Sequence, residues 1–323
     1  SARVLYADSD TRLAFTPAAN FSGSMPEVLT FRAWDRTGGH ANGEAGVPTI
    51  PSLATTFGTP GFDHDVTLSP DGNTLYVADH GSGLRIIDVS DPDNPALIET
   101  LDTSGLAISV TLSADGNTAY VADYNHGLKI IDVSDSNNPA PIGTLDTSGY
   151  ALDVTLSADG NTAYVADQAS GLQIIDISDP SNPSRIETVD TSGHAYVVTL
   201  SADGNTAYVA DGTSGLQIID VSDSSSPTEI ETLDTSGAAI GVTLSPDGNT
   251  VYVADREGGL QIIDVSDPDN PALIETLDTS GLAISVTLSA DGNTAYVADY
   301  NHGLKIIDVS DSNNPAPIGT LDT

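Results

Sequence analysis

The sequence contains no cysteine, which excludes disulfides, thiolate metal sites and cysteine nucleophiles. Basic residues are nearly as scarce. Two Lys and seven Arg stand against 38 Asp and eight Glu, for a formal net charge of −37. A surface of that sign repels nucleic-acid phosphates and anionic lipid headgroups, so nucleic acid is not an expected partner. No run approaches the roughly 18 to 20 consecutive apolar residues of a membrane helix, so no membrane insertion is expected. No stretch combines a helical period with caps. The phosphate-binding loop, dinucleotide-binding glycine fingerprint, nucleophile elbow and zinc-protease helix are all missing.

What is present is a repeat. The tetrapeptide Asp-Gly-Asn-Thr begins at Asp71, Asp115, Asp159, Asp203, Asp247 and Asp291, always 44 residues apart. Residues 86–147 recur unchanged as 262–323, which points to recent duplication. One unit contains four runs rich in β-branched or aromatic residues: 107–113, 118–123, 128–134 and 140–147. Gly116 is placed to take the left-handed conformation of a bulged hairpin between the first two. Asp-x-x-Asn-Pro, as at Asp179–Pro183, separates the last two, because Pro cannot continue a strand ladder. Leu128, Ile130, Ile131 and Val133 put apolar groups on both faces, as a sheet packed between two other sheets requires. Four short strands in each of six 44-residue repeats read as an all-β fold, a β-propeller of six four-stranded repeats. Residues 51–61 align with 95–105 as a fourth strand lacking a preceding blade. Two blade counts therefore stand open: a fragment of a seven-bladed ring completed by one further three-strand set, or six blades with one strand left over.

The run Leu128-Lys129-Ile130-Ile131-Asp132, repeated at Leu84, Leu172, Leu216, Leu260 and Leu304, resembles the LVIVD repeat of bacterial and archaeal surface β-propellers. The resemblance covers residues 51–323. It implies the fold and an extracellular or cell-surface location, but no particular activity. Residues 1–47 differ: LAFTPAANFSG followed by LTFRAWD resembles the end of a cadherin-like or immunoglobulin-like module. The expected division is therefore a partial β module over 1–47 and a propeller over 48–323, within a larger secreted polypeptide.

Positions that vary among copies are freed from the shared architectural demand. They fall in the loop between second and third strands and in the lead-in to the first strand. These connections emerge on one side of the ring, so the expected ligand face comprises His80, Tyr124, His126, Tyr150, His194, Arg256, Tyr300 and His302. The out-of-register tyrosines there suit stacking on sugars. The densest chemistry is Asp63-His64-Asp65, near Asp153 and His194 if the first strand lines a central channel. Carboxylates and an imidazole can coordinate a divalent metal such as calcium or run acid–base chemistry; Asp63, His64, Asp65 and Asp153 are the candidate ligands. Strand alternation turns His64 away from its two neighbours. The aspartates ending each second strand, Asp79 through Asp299, are expected to cap the following turn.

No catalytic set is assigned. The expectation is a non-catalytic adhesion or binding module with a protein or carbohydrate partner. The alternative is a lactonase-like hydrolase with a divalent metal in the channel.

Overall fold

The computed structural model describes residues 64–321 apart from residue 301, together with the backbone of the strands Leu5–Tyr6, Thr11–Thr16, Val28–Asp35 and Thr55–Gly58. The chain is an all-β, six-bladed β-propeller with four-stranded antiparallel blades, each made of four consecutive strands. Blade 2 is representative: Ser109–Leu112, Thr118–Ala122, Leu128–Asp132 and Ala140–Leu145 run from the axis outward. The inner strands of successive blades lie side by side, from Asp65–Leu68 of blade 1 to Ala283–Leu288 of blade 6. Among the described residues no helix is long and apolar enough to cross a membrane.

The two-sided apolar pattern has its reason in the stacking. Ala119, Val121, Ile131 and Val133 pack against Tyr76, Ala78, Leu84 and Ile86 of blade 1. From the opposite face of the same blade, Tyr120, Ala122, Leu128 and Ile130 pack against Val154, Ala163, Val165 and Ile175 of blade 3. Each buried Ile or Leu contributes about 1.5–3 kcal/mol by leaving water. Outer strands carry no such burden; Ala140–Leu145 is largely exposed and is bulged opposite Ile130 and Ile131, which blunts an edge that would otherwise pair with other chains.

The first hairpin is pinned as its composition requires. Gly116 has φ 73°, and the Ser113 hydroxyl donates to Asp115 at 2.6 Å. The Asn117 amide donates to the same carboxylate at 3.1 Å.

The strand expected to lack a preceding blade has a partner. Thr55–Gly58 pairs antiparallel with Val28–Asp35, from Val28↔Gly58 to Phe31↔Thr55. The sheet runs in the order Leu5–Tyr6, Thr11–Thr16, Val28–Asp35, Thr55–Gly58, and so spans the expected division near residues 46–48. A strand must pair its backbone amides and carbonyls. Here the preceding segment of the chain meets that need. Leu5–Tyr6 lies beside the inner strand Asp65–Leu68.

Four of the second-strand aspartates, Asp123, Asp167, Asp211 and Asp255, do not cap the following turn as expected. Each reaches instead into the Asp-Thr-Ser-Gly connection that leads into its own blade. Thr147 donates to Asp167 at 2.6 Å and the Gly149 amide to the same carboxylate at 2.8 Å. Asp211 and Asp255 are clasped alike by Thr191 and Gly193, and by Thr235 and Gly237. The next turn is closed by backbone instead, for example Ser170 N to the Asp167 carbonyl at 3.0 Å. Burial pushes these carboxyls upward in pKa, and Asp123 reaches about 6 despite its bond from Thr103.

Candidate functional site at the channel mouth

Among the described residues the variable loop and the lead-in of the next blade meet across five blade boundaries. His80, Tyr124, Gln168, Gly212 and Arg256 open the loops after second strands, and each forms an antiparallel backbone bridge to an alanine of the next blade: Ala107, Ala151, Ala195, Ala239 and Ala283. Arg256 N donates to the Ala283 carbonyl at 3.0 Å, and Ala283 N to the Arg256 carbonyl at 3.1 Å. The loop residues have φ between 44° and 58°. In that region an L side chain costs roughly 1–2 kcal/mol and only glycine is at ease. Four of these five positions nonetheless carry His, Tyr, Gln or Arg. The backbone is fixed by the neighbouring blade, while the side chain is left free to differ.

Side chains at this end surround a cavity of about 630 Å³ on the axis. His80, Tyr124 and Arg256 line it, with Leu106 from a lead-in segment. Below them comes a ring at the position of His64, made of Ile108, Leu152, Tyr196, Ile240 and Ile284. Deeper still, Thr155, Thr199, Thr243 and Thr287 contribute hydroxyls. Aliphatic side chains thus share the lining with hydroxyl, imidazole, carboxylate and guanidinium groups.

Ring contacts order the rim. Tyr124 and Tyr150 stack with centroids 4.2 Å apart and planes within 3°. His64 and His80 stack at 5.3 Å, and His194 tilts against Tyr196 at 6.5 Å. Burial lowers the His64 pKa to about 3 and depresses that of His80 as well. Both imidazoles are therefore uncharged at neutral pH. Arg256 is the one permanent cation lining the cavity among the described residues.

The expected face thus divides. His80, Tyr124 and Arg256 line the cavity; Tyr150 and His194 join it through their stacking partners. His126 instead contacts Asn125, His302 lies 3.5 Å from Asp299, and Tyr300 is exposed away from the cavity lining. Among the expected metal ligands, Asp63 lies outside the described residues. His64 and Asp153 line the cavity, whereas Asp65 is buried between blades. Asp65 and Asp153 meet through Ser109, whose hydroxyl lies 2.9 Å from one and 2.8 Å from the other. Each carboxylate also accepts a backbone amide, Val110 N on Asp65 and Val198 N on Asp153. Among the described residues no three His, Asp or Glu side chains are grouped to hold a metal ion. Sequence reasoning missed Tyr196 and Ser109. Tyr196 was detectable, since its equivalents Ile108, Leu152 and Ile240 are all aliphatic.

Fold and site together define a six-bladed propeller with an axial cavity, rimmed by the variable loop residues His80, Tyr124 and Arg256 of three blades. Six LVIVD repeats match residues 63–103, 104–147, 148–191, 192–235, 236–279 and 280–323, and the chain belongs to the LVIVD-repeat family. Among curated proteins none matches the sequence. Similar solved structures include a provisionally named 6-phosphogluconolactonase from Bacteroides uniformis, 18% identical, covering 97% of this chain and 98% of that one with a TM-score of 0.77. A second protein so named, from Bacteroides fragilis, is 14% identical, with coverages of 97% and 96% and a TM-score of 0.75. A functionally unknown protein from Desulfotomaculum acetoxidans is 15% identical, with 91% of each chain covered and a TM-score of 0.74. At these identities the likeness establishes the fold alone.

Proposed function

We propose that this chain is a non-catalytic binding module of an extracellular or cell-surface protein, and that it holds its ligand at the channel mouth. One observation carries the reading. His80, Tyr124 and Arg256, three different chemistries, occupy left-handed backbone positions that favour glycine and line one cavity. Strain retained at a rim of differing side chains supports selection for what those side chains touch. The carbohydrate or protein partner expected from the sequence suits the aromatic rim, because ring faces and hydroxyls are what sugars and loop tips present. Calcium remains a proposal for the acidic surface at large. The test is a glycan and peptide array probed with the wild-type chain and with Tyr124→Ala. Binding lost in the variant supports the module; array binding that ignores Tyr124 would sink it.

A hydrolase is the second reading, favoured by the names of two structural neighbours and by the polar groups His64 and Asp153 in the cavity. Turnover of a sugar lactone that disappears in Asp153→Asn, at unchanged melting temperature, would establish it in place of the first.

A further inference from the structure

We infer that the cavity takes a monosaccharide-sized ring bearing a single oxyanion group, a carboxylate or a phosphate, with Arg256 as its anchor. This rests on the channel-mouth reading above and names the ligand class for the same site. In a chain of net charge −37 with seven arginines, a guanidinium at the cavity needs a reason. Arg256 has no ion pair or side-chain hydrogen bond among the described residues. Arg85, by contrast, is buried and lies 3.6 Å from Asp79. The backbone of Arg256 is immobilised by two bonds to Ala283, so its side chain is presented from a fixed point. Planar guanidinium donors match carboxylate and phosphate oxygens in a two-pronged fashion.

The remaining lining decides the rest of the ligand. His64 and His80 are uncharged at neutral pH and add donors and acceptors without positive charge. Tyr124 and Tyr196 supply ring faces, and the deeper threonines supply hydroxyls. Asp153 is already bonded by Ser109 and the Val198 amide. The cavity thus offers one permanent positive charge, aromatic surface and hydroxyl partners, which complements a polyol ring with one anionic substituent. A volume of about 630 Å³ fits a ligand of one or two sugar rings within the usual range of such sites.

The experiment is isothermal titration calorimetry with glucose, glucuronate, glucose 6-phosphate and choline, against wild type, Arg256→Gln and Tyr124→Ala. Arg256→Gln is structurally safe, because Gln168 occupies the equivalent position of blade 3 at φ 46°. The expected result is binding of glucuronate or glucose 6-phosphate at least about tenfold tighter than glucose, with that margin removed by Arg256→Gln. Which of the two acids binds distinguishes carboxylate from phosphate. Equal binding of glucose and the acids, preference for choline, or acid binding unchanged in Arg256→Gln would each overturn the inference. If array ligands still depend on Tyr124 while neither acid binds, the ligand class falls and the channel-mouth site stands. If acids bind but ignore both Arg256 and Tyr124, the site itself is elsewhere and both readings fall.

Discussion

The rings of Tyr124 and Tyr150 lie face to face, 4.2 Å apart, across the boundary between blades 2 and 3. Tyr124 stands on the strained backbone of a loop, while Tyr150 comes from the lead-in to the next blade and is well exposed. Stacked aromatic pairs contribute about 0.5–1.5 kcal/mol beyond their buried area. Tyr150→Ala is therefore expected to lower stability by about 1 kcal/mol, and a double-mutant cycle with Tyr124→Ala should return a coupling of that size. A coupling near zero would show that the pair is merely adjacent.

Gln168 gives the strain its own measurement. It holds φ 46°, where Gly212 in the next blade holds 58°. Gln168→Gly is expected to stabilise the fold by about 0.5 kcal/mol, since relief of the left-handed penalty outweighs the extra freedom glycine has when unfolded. Denaturant titration reads the difference, and destabilisation instead would mean that the Gln168 side chain contributes contacts to the fold.

Two buried groups should shape the pH dependence in opposite directions. Burial holds Asp123 near pKa 6, above the ordinary carboxylate value of 3.8. A raised carboxyl contributes stability that is fully present below pH 3.8 and lost as pH rises through 6. Asp123→Asn keeps an acceptor for Thr103 and removes the titration. The melting temperature of the variant should gain on wild type between pH 4 and 7, and a constant offset would refute the assignment.

His64 works at the acid side. Burial lowers its pKa from 6.5 to about 3, so the unfolded chain takes up a proton that the folded chain refuses. Its contribution is present above pH 6.5 and lost progressively as pH falls toward 3. His64→Leu restores the aliphatic residue found at Leu152 and should flatten that acid decline. An unchanged slope between pH 6.5 and 4 would count against a buried, neutral imidazole.

Self-repulsion among 46 acidic residues should weaken the fold at low ionic strength, where the screening length is about 30 Å at 0.01 M. Added sodium chloride is expected to raise the melting temperature, and calcium chloride at equal ionic strength to do the same. A far larger response to calcium would point to specific sites, whereas no response to either would show that the fold does not feel the charge.

The blade was legible because its physics is local. Strand period, the Gly116 turn and the two-sided apolar faces all repeat every 44 residues, and each predicts its own geometry. The variable rim was legible for the complementary reason: it is where the repeat stops repeating. What escaped were contacts made between copies. Nothing in a linear reading joins Asp167 to Thr147 and Gly149, since the clasp spans 18 to 20 residues and the two inner strands of the blade. Ser109 likewise gained its meaning only when the ring set it between Asp65 and Asp153, each 44 residues away. The partner of Thr55–Gly58 was hidden because Val28–Asp35 carries no trace of the repeat.

Among the described residues every sheet is drawn from one unbroken stretch of chain, with no strand lent to a neighbour. An in-frame loss or gain of 44 codons therefore removes or adds a whole blade and leaves the remaining sheets intact. Identical stretches, as in residues 86–147 and 262–323, are the substrate on which unequal recombination acts. The number of blades, and with it the width of the opening, is heritable in whole steps rather than by gradual drift.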